Sequence, residues 1–229
     1  ADVSISDTNG LQFDSVQVGS GRLKITAGGA VTQTGSIRQG GGGATITGSS
    51  ITLTSGGNQF NGVLSLNGGT IDLTNSGGVT LGASNIGSTL TINAGGDITQ
   101  TEALAVSGNA TFNSSANGAN IQLGELPNSF AGSVTLGGNL GNVSLRNTSS
   151  APSTLQMPGS VHDLKLTYDN SGIILPNTIV TGNLEAKAGG DITQTGAITL
   201  TGTAKFDAGS HAIKLDTEGN NFGGAVTLN

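Results

Sequence analysis

The chain has 229 residues with a formal net charge of −6, 40 Gly, six Phe, one Tyr and no Cys. The length allows a sizeable core, and the small net charge with short Ile, Leu and Val clusters throughout argues against a disordered chain. Lack of Cys excludes disulfides and thiolate metal sites, the 8 Lys and Arg are too few for a nucleic-acid surface, and no apolar run has the length of a membrane span.

Taken from the amino end, the apolar residues alternate with polar ones in short runs. Ile51-Thr52-Leu53, Ile71-Asp72-Leu73, Val143-Ser144-Leu145 and Ile213-Lys214-Leu215 are examples. Period-two alternation marks strands with one buried face, and the Gly, Asn, Ser and Asp clusters between the runs mark turns. Gly and β-branched residues interrupt every window that would otherwise carry a helical stripe. The spacing predicts an all-β chain of many short strands.

A finer period underlies the strands. Ile5, Ile25, Ile46 and Leu66 follow one another at 20, 21 and 20 residues, and Leu145, Leu166, Ala186 and Phe206 at 21, 20 and 20. A unit of about 20 residues cannot bury its apolar face alone and must stack on its neighbours. Coiling once per unit places equivalent strands in parallel sheets about 4.8 Å apart. The expected fold is a parallel β-helix, a β-solenoid with about 20 residues per coil, running as one domain through 1–229 and on the order of 50 Å long.

A coarser repeat lies over the coils. Ala94-Gly95-Gly96-Asp97-Ile98-Thr99-Gln100-Thr101 returns unchanged at 188–195 and, with Ala30 in place of Asp and Val31 in place of Ile, at 27–34. Downstream of each comes a block with Asn58, Phe60 and Gly62, then Asn128, Phe130 and Gly132, then Asn220, Phe222 and Gly224. The copies span approximately 21–68, 88–138 and 182–229. In a narrow interior the Phe residues are expected at corners, where there is more volume. Gly is expected to supply positive φ at tight corners. The three Asn are expected to bond backbone groups left unpaired at corners; a buried Asn ladder and a solvent-facing turn Asn both fit.

These blocks resemble the repeat regions of filamentous-haemagglutinin-like adhesins, large exoproteins of two-partner secretion or autotransporter type. The resemblance covers nearly the whole chain and is weakest around residues 146–180. It implies a right-handed β-helix, a secreted or bacterial cell-surface location, and a role in adhesion or in projecting another domain. The implied partner is a receptor or glycan on a host or neighbouring cell, or a second copy meeting the solenoid ends. The Asn-Pro-Asn-Gly-type elements of that family's secretion domain are absent, so the segment is expected to be shaft, a fragment of a longer repeat protein.

Nothing in the sequence points to catalysis. A polysaccharide-active β-helix needs clustered carboxylates, and the 14 acidic residues are dispersed. Asp97 and Asp191 occupy matching positions where the first copy has Ala30, which suits a turn role. His162 and His211 lie in different repeats, and no metal or cofactor is expected. Gly40-Gly41-Gly42-Gly43 has no following Lys or Asp and reads as a flexible turn. Thr45/Thr47, Thr52/Thr54, Thr89/Thr91 and Thr199/Thr201 are not spaced by one coil, which argues against a regular Thr ladder of the ice-binding kind. The segment from Leu155 to Tyr168 departs most from the repeat, and Met157, His162 and Tyr168 are its candidate contact residues. A self-assembling filament or layer subunit is the alternative to an adhesive shaft, and an enzyme ranks third.

Overall fold

The computed structural model describes every residue except Pro152. Strands and turns make up the described chain, and every strand pairing is parallel. The strands wind into a β-solenoid of about 11 turns with ~20 residues per turn. One sheet runs the whole length, from Val3–Asp7 to Val226–Leu228, and shorter sheets close the other sides of the coil.

The columns expected from spacing are present. Ile5 pairs with Ile25, Ile25 with Ile46 and Ile46 with Leu66. Leu145, Leu166, Ala186 and Phe206 stack in the same way. The residues on either side of each inward aliphatic face out, so alternation in sequence becomes an apolar interior and a polar surface. The fully buried side chains form one continuous cluster, and the buried polar residues within it are neutral Asn, Gln, Ser and Thr.

Four of the six Phe residues, Phe13, Phe60, Phe130 and Phe222, end short strands just ahead of a bend, as expected of corner residues, whereas Phe112 and Phe206 lie within strands. Phe112 lies mid-strand in Ala110–Ser114, stacked between Ile92 and Leu136. It meets Phe130 across the interior, edge to face, with ring centroids 5.9 Å apart. Phe206 and Phe222 repeat the arrangement at 6.2 Å. Such a pair adds about 0.5–1.5 kcal/mol beyond its buried area.

Counting strands shows how repeats and coils interlock. Up to the end of the first repeat the chain holds three coils of three strands, from Val3–Asp7 to Gln59–Phe60, and then one strand more, Val63–Gly68. The next repeat therefore starts one side further round. The sheet that carries Val31–Gln33 and Ser50–Leu53 in the first repeat carries Leu90–Ala94, Ala110–Ser114 and Val134–Gly137 in the second. The second Thr-Gln strand, Ile98–Gln100, moves to the sheet that earlier held Leu23–Ala27 and Val63–Gly68. At this junction Val63–Gly68 pairs with two strands at once, Val79–Leu81 and Ser84–Ile86. The bend between them is closed by Ser84, whose buried hydroxyl accepts from Leu66 N at 3.0 Å and donates to Gly82 O at 2.9 Å.

Candidate functional site

The repeated Asn and the repeated Gln form one device. Asn58 Oδ1 accepts from Ile37 N at 2.8 Å and from Gln33 Nε2 at 2.9 Å, and Asn58 Nδ2 donates to Gln33 Oε1 at 2.9 Å and Leu53 O at 3.0 Å. Asn128 does the same with Leu104 N, Gln100 and Leu123 O. Asn220 does so with Ile198 N, Gln194 and Leu215 O. Each pair is a reciprocal amide clasp between consecutive coils, and it occupies backbone groups that the corner would otherwise strand. The Asn residues are not stacked on one another, so the buried Asn ladder is corrected. The solvent-facing alternative is corrected as well, since Asn58 and Asn128 are fully buried. A second amide holds the adjoining Phe strand: Asn75 Oδ1 accepts from Phe60 N at 2.8 Å, and Asn147 Oδ1 from Phe130 N at 2.9 Å.

The block glycines are needed for closeness rather than for positive φ. A Cβ on Gly62 would lie 2.4 Å from Gly43 N, on Gly132 2.5 Å from Gly108 C, and on Gly224 2.2 Å from Gly202 O. None of the three has positive φ, which occurs at Gly41, Gly43, Gly118, Gly138, Gly209 and Gly219.

Two outer ladders were not visible in the sequence. Along one corner Asp97 Oδ1 accepts from Asn120 N, Asn120 Oδ1 from Asn142 N, Asn142 Oδ1 from Asp163 N, Asp163 Oδ1 from Asn183 N, and Asn183 Oδ1 from Thr203 N. On another side Thr32, Thr52, Asp72, Thr91, Thr111 and Thr135 share one register column. A Thr column therefore forms, contrary to expectation, because each coil contributes one residue at this register position, Thr52 and Thr91 coming from the Thr-x-Thr pairs and the other Thr from outside them. Asp72 interrupts it.

The three candidate contact residues do not form one surface. Tyr168 is an inward residue of Leu164–Tyr168 and only 1% exposed. Burial raises its phenol above the ordinary tyrosine range; Ser153 lies near enough to oppose that rise, without the geometry of a hydrogen bond. Met157 packs half-buried against the core. His162 alone is exposed, its Nδ1 3.0 Å from Asn142 Oδ1. Beside this segment Arg146 holds Asp169 through Nε and Nη2, at 3.0 and 2.8 Å to Oδ2. The hydrogen bond and the charge of Asp169 raise the guanidinium pKa further.

Asp97 and Asp191 have the turn role expected of them, each bonding a backbone N–H of the next coil, Asn120 N at 2.9 Å and Ala212 N at 3.0 Å. Exposed charges on the long sheet alternate in sign where Lys165 pairs with Glu185 and Glu185 with Lys205. Among the described residues no three His, Cys, Asp or Glu side chains group as a metal site would require.

Coils in parallel register, amide clasps at corners and a coarse repeat laid over them define a repeat β-solenoid. The chain matches a family of repeats of unknown function (DUF5649) at residues 1–67, 68–137 and 161–229, and it belongs to that family. Each match overlaps one of the sequence repeats and takes in a further coil ahead of it. No curated protein and no solved structure matches the chain.

Proposed function

We propose that the chain is a shaft segment of a bacterial cell-surface or secreted fibrous protein of the filamentous-haemagglutinin-like adhesin type, and that it performs no catalysis. The observation that carries this reading is the sheet running unbroken from Val3–Asp7 to Val226–Leu228. Each coil is bonded to the coils on either side, so the shaft resists bending and leaves few mobile segments for proteases. Such a shaft holds a receptor- or glycan-binding surface away from the cell. The family match supports the repeat architecture, and the quoted sequence blocks support adhesion and export.

Protease shaving of intact source cells, followed by peptide detection, tests the location. Peptides released from living cells are the expected result; peptides found solely after lysis overturn it. A polysaccharide depolymerisation screen is expected to give no turnover, and turnover would overturn the non-catalytic reading. Negative-stain microscopy against concentration is expected to show single short rods. End-to-end fibres would replace the shaft with a self-assembling subunit.

A further inference from the structure

The sheet that carries the Thr column ends at Leu155–Gln156, while Ile173–Leu175 begins a separate sheet with Ile192–Gln194. A cleft of about 500 Å³ opens beside this break. Ser153, Ser171, Ile174, Asp191, Thr193 and His211 line it. These residues come from successive windings, so the cleft runs along the solenoid axis, with a reach on the order of 15 Å at a spacing of about 4.8 Å per coil.

Its polar groups are underused. The hydroxyls of Ser153 and Ser171 are buried and have no hydrogen-bond partner among the described residues. Ser153 is itself only 7% exposed. A hydroxyl both donates and accepts, and buried polar groups in folded proteins are almost always paired; Ser153 has the Tyr168 phenol beside it, so it is the Ser171 hydroxyl that points to a missing partner. Asp191 spends Oδ1 on Ala212 N, which leaves Oδ2 as an acceptor at the rim. Ile174 adds an exposed aliphatic surface.

We infer that this cleft binds a neutral saccharide. Sugar hydroxyls exchange donor and acceptor roles with Ser153, Ser171 and Thr193, one of them donates to Asp191, and the C–H face of the ring covers Ile174. The carboxylate disfavours an anion, and a lone carboxylate among hydroxyls is a poor cation site. Binding here does not depend on the shaft reading: sugar binding is read at the cleft and shaft behaviour by shaving and microscopy, so either can fail alone.

Saturation-transfer NMR on the full 229-residue chain tests it, with glucose, galactose, N-acetylglucosamine, lactose and cellobiose as probes and N-acetylneuraminic acid as the anionic comparison. At least one neutral probe is expected to receive saturation, with amide shifts at Ser171, Ile174 and Thr193. Ser171→Ala is expected to weaken that probe at least fivefold without lowering the melting temperature, because the hydroxyl it removes has no hydrogen-bond partner among the described residues. Silence from every neutral probe, shifts confined to other residues, or unchanged affinity in both Ser153→Ala and Ser171→Ala would overturn the inference. The shift map on the unaltered chain decides the matter even if a variant fails to fold.

Discussion

The coils between Val31 and Leu136 and the stretch of more than one coil from Thr148 to Val180 draw on the same residue types, yet they close differently. In the first region side-chain amides from Asn58, Asn75 and Asn128 meet the backbone groups that corners leave over. In the second, Ser153, Tyr168, Ser171 and Thr178 hold four of the six buried side-chain atoms with no partner among the described residues. Sheet continuity fails in the same place, between Leu155–Gln156 and Ile173–Leu175. A solenoid of this kind is thus fastened by a few buried amides at corners as well as by its aliphatic columns, and where they are missing it opens.

The largest effect should come from breaking a clasp in the regular region. Asn128→Ala strands Leu104 N, the Gln100 amide and Leu123 O together. With about 1–3 kcal/mol for each buried group left unpaired, a loss of about 3 kcal/mol or more is expected in denaturant unfolding, together with lost exchange protection at Leu104. Gln100→Ala should cost less, because it leaves the bond from Leu104 N intact. A double-mutant cycle between the two should give a coupling of about 1 kcal/mol or more. Additive losses would show that the amides act separately and that the clasp is no unit.

Close coil contact comes next. Gly132→Ala puts a methyl group against the Gly108 backbone, and overpacking of this kind costs about 1–3 kcal/mol. The same change at Gly159, where an added Cβ meets nothing within 4 Å, should be nearly neutral. Equal melting temperatures for the two variants would mean that the regular coils are no tighter than the irregular one.

The aliphatic columns were legible because they need only alternation and a spacing near 20, and Ile25 with Ile46 stand opposite each other as that spacing requires. The clasp was not legible. Its partners lie 25, 28 and 26 residues apart in the three copies, since turns of variable length intervene, and neither Gln nor Asn announces a buried partner. Rotation of the repeat about the axis was hidden as well, because it depends on one extra strand, Val63–Gly68, after three full coils. Tyr168 misled for a different reason. A residue unique in composition reads as a surface feature, but its position in the alternation of Leu164, Leu166 and Tyr168 places it inside.

Tyr168 gives the smallest change in stability and the sharpest contrast with Asn128. Its hydroxyl is buried without a hydrogen-bond partner among the described residues, so Tyr168→Phe removes an uncompensated polar group and should leave stability unchanged or raise it by up to about 1 kcal/mol. The pH dependence separates this from simple tolerance. Burial holds the folded-state pKa above the unfolded value of about 10. Between those two values the unfolded chain releases the phenolic proton while the folded chain keeps it. Stability from this group is therefore fully present below pH ~10 and falls as pH rises through the folded pKa. Unfolding midpoints of the unaltered chain should decline above that pH more steeply than those of Tyr168→Phe. Parallel declines would mean that the phenol already reaches water through the open side of this coil, and the contrast with the sealed corners would then rest on the backbone alone.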